Sequence, residues 1–141
     1  MKQLRILVVE DDALLGILLG EILVEMGHNV CAVTGTVAGA VSGAAQHKPE
    51  LLIVDAWLRD GSGLSAVKKI CETGYVPHLF ASGDISFIKT QRPDAVMIQK
   101  PYHVADLLIA IEQAIAVESF RLGSNFSSAS GTISNFRSSR N

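Results

Sequence analysis

"ILVVEDDALL", residues 6–15, sets four apolar residues directly against three acids, Glu10, Asp11 and Asp12, before the apolar residues resume. Ile6 to Val9 is short, apolar and rich in β-branched side chains, which suits a strand buried on both faces. Like charges repel, so three carboxylates at the edge of a core need something positive to hold. Both the strand and its acidic end recur further along the chain.

Leu4–Val9 predicts the first strand, and residues 13–26 follow helical spacing, with Leu15, Leu18, Leu19, Ile22 and Met26 on the face expected to pack inward. Gly27 stands where glycine commonly ends a helix. Further strands are expected at 29–33, 51–54, 77–81 and 95–98, and further helices at 37–46, 63–73, 86–90 and 103–117. In the last of these Val104, Leu107, Leu108, Ile111 and Ile115 form one stripe. Strands alternating with helices imply parallel β-α-β units. Right-handed crossovers then favour an α/β doubly wound sheet covered on both faces. Ligands in such sheets sit at the carboxyl ends of the strands, where the winding direction reverses.

The chemistry-bearing residues collect at that end. Glu10 and Asp11 follow the first strand, Asp55 the third, Ser82 the fourth and Lys100 the fifth. Converging carboxylates are relieved by a hard divalent cation with oxygen ligands, and Mg²⁺ suits a site with few carboxylates and several waters. A lysine and a hydroxyl at the same edge add a positive charge and a hydrogen-bond donor. That set fits phosphoryl transfer, in which catalysis is mainly positioning and neutralisation of charge on the equatorial oxygens. Singly, each residue has a plainer explanation: Asp55 as a turn residue or cap, Ser82 as a turn former, Lys100 as a surface lysine. The joint placement after successive strands is what carries the reading.

These motifs, VVEDD, LLIVD, the ASG after the fourth strand and the Lys100-Pro101 pair, resemble the receiver domain of bacterial two-component response regulators over residues 4–118. The resemblance implies a flavodoxin-like five-stranded parallel sheet in the order 2-1-3-4-5 with five flanking helices. It implies that Glu10 and Asp11 hold Mg²⁺ together with Asp55 and the backbone carbonyl of Trp57. It implies that Asp55 is the phosphoacceptor for a histidine kinase or phosphotransferase, that Ser82 and Lys100 bind the phosphoryl oxygens, and that Lys100-Pro101 is cis. Asp12 is left to cap the first helix. Residues 77–84, PHLFASGD, are similar to a subset of receivers, often stand-alone, with Pro-Phe-x-Phe-Ala-Thr-Gly there. Four positions depart from the family or subset pattern: Arg59 stands where proline is frequent, His78 replaces the first Phe, Ser82 replaces the Thr, and Met97 occupies a place often held by a Tyr or Phe that rotates on phosphorylation. An aromatic switch cannot operate at Met97. His78 is expected in or beside its strand, and Asp84 as a cap for the fourth helix.

Composition fits this reading. The 141 residues are 48% apolar, enough for one core, and carry a net charge of −2, which advertises no nucleic-acid surface. No apolar run approaches the roughly 20 residues of a membrane span. Cys31 and Cys71 lack CxxC spacing and are expected to be reduced, buried and inert, in a cytoplasmic protein. Residues 119–141 are Ser/Gly-rich with apolar Phe120, Phe126, Ile133 and Phe136, and are expected to form an unstructured or docking tail rather than a DNA-binding output. Leu14, Ile17 and Leu18 broaden the apolar surface of the first helix, and Gly16 and Gly20 are suited to close approach to the sheet. The function expected is a phosphorylation-dependent switch of protein–protein contacts. A phosphate sink and an unphosphorylated interaction module are the alternatives. An aspartyl phosphatase is disfavoured, because Trp57 stands where its second acid belongs.

Overall fold

The computed structural model describes residues 2–130. In chain order the elements are β1 (Arg5–Val9), α1 (Ala13–Glu25), β2 (Asn29–Thr34), α2 (Val37–His47), β3 (Leu51–Val54), the short pair β4 (Trp57–Leu58) and β5 (Gly61–Ser62), α3 (Gly63–Cys71), β6 (His78–Ser82), α4 (Ser86–Gln91), β7 (Met97–Gln99) and α5 (Val104–Ser130). The main sheet runs β2-β1-β3-β6-β7, every neighbouring pair parallel. With β4 and β5 set apart as an antiparallel hairpin, this is the expected doubly wound order. The winding reverses between β1 and β3.

Strand alternation divides the core. Ile6 and Val8 join Leu19 and Leu23 of α1 and Leu107, Ala110 and Ile111 of α5 on one face of the sheet. Leu7 and Val9 join Val37 and Ala40 of α2, Ala66, Val67 and Ile70 of α3 and Ile88 of α4 on the other. Every residue of β3 and β6 is buried, as strands enclosed on both faces require.

Of the face of helix α1 expected to pack inward, Leu19, Ile22 and the C-cap Met26 meet the core, but Leu15 and Leu18 do not. Its buried residues are Gly16, Leu19, Gly20 and Leu23, while Leu15 and Leu18 stay 42% and 45% exposed. The reason is close approach. A Cβ on Gly16 would lie 2.8 Å from the Val33 side chain, so Gly16 faces the sheet beside Leu19 and Leu23, and Leu15 and Leu18 are turned outward. Helix α5 behaves alike: Ala110 and Ala114 are buried with Leu107 and Ile111, whereas Val104 and Leu108 are exposed. Both cysteines are free but half-buried rather than buried. The Cys31 and Cys71 thiols donate to the carbonyls of Ile6 and Val76.

The tail also differs from expectation over its first part, since α5 continues to Ser130. Once a helix is nucleated, each added residue gains a hydrogen bond at the entropy of one residue. The Arg121 guanidinium, 4.0 Å over the Tyr75 ring, ties that extension to the domain. Phe120 is 77% exposed and does not fold back. Residues 131–141, with Ile133 and Phe136, and the side chain of Phe126 lie outside what is described. No helix among the described residues is long and apolar enough to cross a membrane.

Candidate functional site

Backbone hydrogen bonds lock the carboxyl ends of the strands side by side. The Glu10 N–H donates to Thr34 O at 2.7 Å, Asp55 N–H to Val9 O at 2.9 Å and Lys100 N–H to Ser82 O at 2.8 Å. Residues that follow β1, β3, β6 and β7 therefore meet at the reversal of the sheet, where such folds place their ligands.

Glu10, Asp11 and Asp55 each offer an oxygen within 4.8 Å of the others'. Glu10 is buried, Asp55 half-buried and Asp11 exposed. Lys100 reaches across the sheet: its Nζ donates to Glu10 Oε1 and to Asp55 Oδ2, the latter at 3.3 Å. Burial lifts the Glu10 carboxyl to about 7, and Asp55 beside it pushes the same way, while Lys100 and the Asp12 N–H oppose them. Burial works against the charged form of Lys100, but Glu10 and Asp55 prevail and raise its pKa. The cluster thus has more negative charge than one lysine satisfies. A hard cation set among the three carboxylates would offset the cost of burial and favour the charged form of Glu10. All-oxygen donors with an open, solvent-facing side fit Mg²⁺.

The loop after β1 keeps Asp12 out of this cluster. Its carboxylate accepts from the Leu15 N–H at 3.1 Å and caps α1, as expected, while its own N–H donates to Glu10 Oε2 at 3.1 Å. Gly63 lets α3 start against the loop that follows Asp55: its N–H donates to Ala56 O at 2.8 Å, and a Cβ there would lie 2.0 Å from Asp55 O. The Lys100-Pro101 bond is cis.

Ser82 ends β6, fully enclosed, its hydroxyl accepting from the Asp84 N–H at 3.5 Å. Among the described residues its hydroxyl makes no hydrogen bond to the acids or to the Lys100 ammonium; the only link is from the Lys100 N–H to the Ser82 carbonyl. Asp84 accepts from the Ser86 N–H two residues on at 2.9 Å, and that bond holds its carboxyl below the usual range, but the N-cap of α4 is Ile85, without a side-chain cap, so Asp84 is not the expected cap. Trp57 sits in the β4–β5 hairpin, its indole 52% exposed and tilted 32° against the Phe87 ring of α4 at 4.7 Å between centroids. Met97 pairs with Phe80 and packs half-buried on the α2–α4 face.

His78 lies buried within β6. Its Nδ1–H donates to Val76 O at 2.8 Å, which leaves Nε2 to accept from Arg92 Nη1 at 2.8 Å. Burial holds its pKa below the usual histidine value. It is a core histidine that ties β6 to the end of α4, remote from the acids. The Trp57–Phe87 stack and the hold of His78 on Arg92 were not legible beforehand, because both depend on contacts between elements distant in sequence.

Residues 6–112 match the model of the response regulator receiver domain family. The chain belongs to that family. The receiver is 37% identical over 115 residues to the phyllosphere-induced regulator PhyR of Methylorubrum extorquens, covering 79% of this chain and 43% of PhyR. It is 32% identical over 116 residues to the transcriptional regulatory protein PdtaR of Mycobacterium tuberculosis, covering 79% of this chain and 57% of PdtaR. The chain thus spans about half the length of these curated relatives, which are named as regulators and not as enzymes. The solution structure of the PhyR receiver domain of Erythrobacter litoralis superposes with a TM-score of 0.74 at 28% identity, covering 82% of this chain and 92% of that one.

Proposed function

We propose that this receiver takes a phosphoryl group onto Asp55 from a histidine kinase or histidine phosphotransferase and thereby switches its contacts with a protein partner. The observation that carries the reading is the Lys100 ammonium bonded to both Glu10 and Asp55, with the Asp11 carboxylate beside them. Glu10, Asp11, Asp55 and the Trp57 carbonyl would hold Mg²⁺, which when bound supplies positive charge to the phosphoryl oxygens. An Asp55 oxygen attacks phosphorus and the P–N bond of the donor phosphohistidine breaks. The imidazole leaves with that electron pair, neutral because its other nitrogen carries a proton. Lys100 turns from Asp55 to a phosphoryl oxygen, and the Ser82 hydroxyl donates to another.

The new group carries nearly two negative charges. Drawing Ser82 toward it moves the end of β6 and the start of α4, which shifts a two-state equilibrium that a partner reads. With Met97 in the fifth strand of the sheet, this shift proceeds without an aromatic rotamer there. Docking of the donor is supported by a cleft of about 490 Å³ that runs from Glu10, Asp55 and Lys100 to Leu15, Leu18 and Tyr102. Leu14 and Ile17 extend it as an exposed apolar surface on α1. The test is incubation with acetyl phosphate and Mg²⁺ followed by intact mass measurement. The parent gains one phosphoryl group and Asp55→Asn gains none; equal incorporation by both refutes the assignment.

A further inference from the structure

The loop between β4 and β5 holds Arg59 and Asp60, which the steps above leave unused. Both are fixed from outside the hairpin. The Arg59 N–H donates to Gly35 O at 3.3 Å. The Asp60 carboxylate accepts from the Val37 N–H at 2.5 Å and the Ala38 N–H at 3.2 Å, at the start of α2. The hairpin is therefore fastened to the β2–α2 loop at two points. Gly35 does not have the positive φ that demands glycine. Its missing side chain has another cause: a Cβ there would lie 2.5 Å from Arg59 Nη2, 3.0 Å from Arg59 Cζ and 3.1 Å from the Asp11 Cα. The space a side chain would fill is taken by a guanidinium lying beside the Asp11 backbone.

Lys100 forms two salt bridges, to Glu10 and Asp55, whereas Arg59 forms none among the described residues. Sheet order places the two cations on opposite flanks of the acids. Lys100 follows β7 at one edge of the sheet, and the Gly35 seat follows β2 at the other. A guanidinium offers forked N–H donors that suit phosphate oxygens.

We infer that Arg59 is a positioning and specificity residue for the phosphodonor. Its guanidinium steadies a dianionic phosphoryl group entering from the Asp11 side, opposite Lys100. The inference rests on Asp55 as acceptor. With acetyl phosphate, an Asp55 oxygen bonds to phosphorus, the P–O bond to the acetyl group breaks, and acetate leaves with the electron pair; no proton moves. Arg59 acts on the approach of the donor and not on the bonds exchanged.

The experiment follows phosphoryl uptake by the full chain in Mg²⁺ by intact mass, with acetyl phosphate and with phosphoramidate, a donor of lower net negative charge at neutral pH. Arg59→Ala is expected to raise the half-saturating acetyl phosphate concentration about two- to fivefold, the scale of one solvent-exposed ion pair, with a smaller change in maximal rate. Phosphoramidate should show a smaller rise, Arg59→Lys should recover part of the loss, and added salt should shrink the difference between parent and variant. The same donor dependence in parent and Arg59→Ala overturns the inference, as does an equal rise for both donors. If Arg59→Ala tightens Mg²⁺ binding, read from Trp57 fluorescence without donor, and leaves donor dependence unmoved, Arg59 is a counter-ion of Asp11 and the inference fails. A parent that takes up no phosphoryl group removes the Asp55 assignment itself; uptake by the parent with an indifferent variant removes only the role of Arg59.

Discussion

Gly63→Ala tests how tightly the loop after Asp55 is built. Gly63 opens α3 directly under Asp55, and an added Cβ would lie 2.0 Å from Asp55 O, 3.0 Å from Asp55 C and 2.8 Å from Val54 Cγ1. A carbon–oxygen contact relaxes only at about 3.3 Å, so the start of α3 and the end of β3 must separate by about 1.3 Å. The neighbours are backbone on one side and a buried valine on the other, so no flexible side chain can yield. Overpacking of this kind costs roughly 1–3 kcal/mol, and contact with backbone places it near 3 kcal/mol. In a domain of this size that lowers the melting temperature by about 10 °C. Gly20 provides the contrast. It is buried in α1, yet a Cβ there meets nothing within 4 Å, so Gly20→Ala should stabilise by about 0.5–1 kcal/mol through helix propensity alone. Urea unfolding followed by circular dichroism, with linear extrapolation, measures both. Gly63→Ala should also take up phosphoryl more slowly, because Asp55 moves with its carbonyl. A Gly63→Ala variant within 0.5 kcal/mol of the parent, or Gly20→Ala the more destabilised of the two, would refute the packing argument.

Three further outcomes follow from single contacts. His78 is held neutral by burial, so its folded pKa lies below the unfolded value of about 6.5; the unfolded chain binds the proton first, and stability falls as pH drops below that value. His78→Phe should flatten the acid-side decline below about pH 6.5 in denaturant titrations, and an unchanged slope would contradict the neutral assignment. Asp12→Ala removes the cap on the Leu15 N–H and should cost about 1 kcal/mol in the same titration, with no loss reading against a capping role. Phe87→Ala strips the aromatic cover from Trp57 and should shift the tryptophan emission to the red; identical spectra would mean that the stack is not kept in solution.

Much of this was legible because strands and charges are written locally. Four apolar residues ending in acids mark β1, and LLIVD marks β3 with Asp55 after it. Glu10, Asp55 and Ser82 were each visible as the first polar residue past an apolar run, and Asp11 and Lys100 as the second. What stayed hidden depended on a third dimension. In α1 Leu15 and Leu18 looked as inward as Leu19, but the sheet selects the side on which Gly16 permits close approach. The hairpin β4–β5 has two residues per strand, too few for alternation to show. The clamp of Asp60 on α2 joins residues 23 apart in sequence, and the seat of Arg59 left as its local trace a glycine at 35 whose backbone does not require one. Helix α5 runs past the point where its apolar stripe ends, since propagation needs little from composition once the helix is established.

Chemical trapping of the modified residue bears most directly on the central claim. The folded protein is treated with acetyl phosphate in Mg²⁺, reduced with borohydride to convert an aspartyl phosphate to homoserine, and mapped by peptide mass. Conversion confined to Asp55, and lost when Mg²⁺ is chelated, is the result the geometry of Glu10, Asp11, Asp55 and Lys100 predicts. Conversion at another carboxylate, or none at all in folded protein, contradicts it.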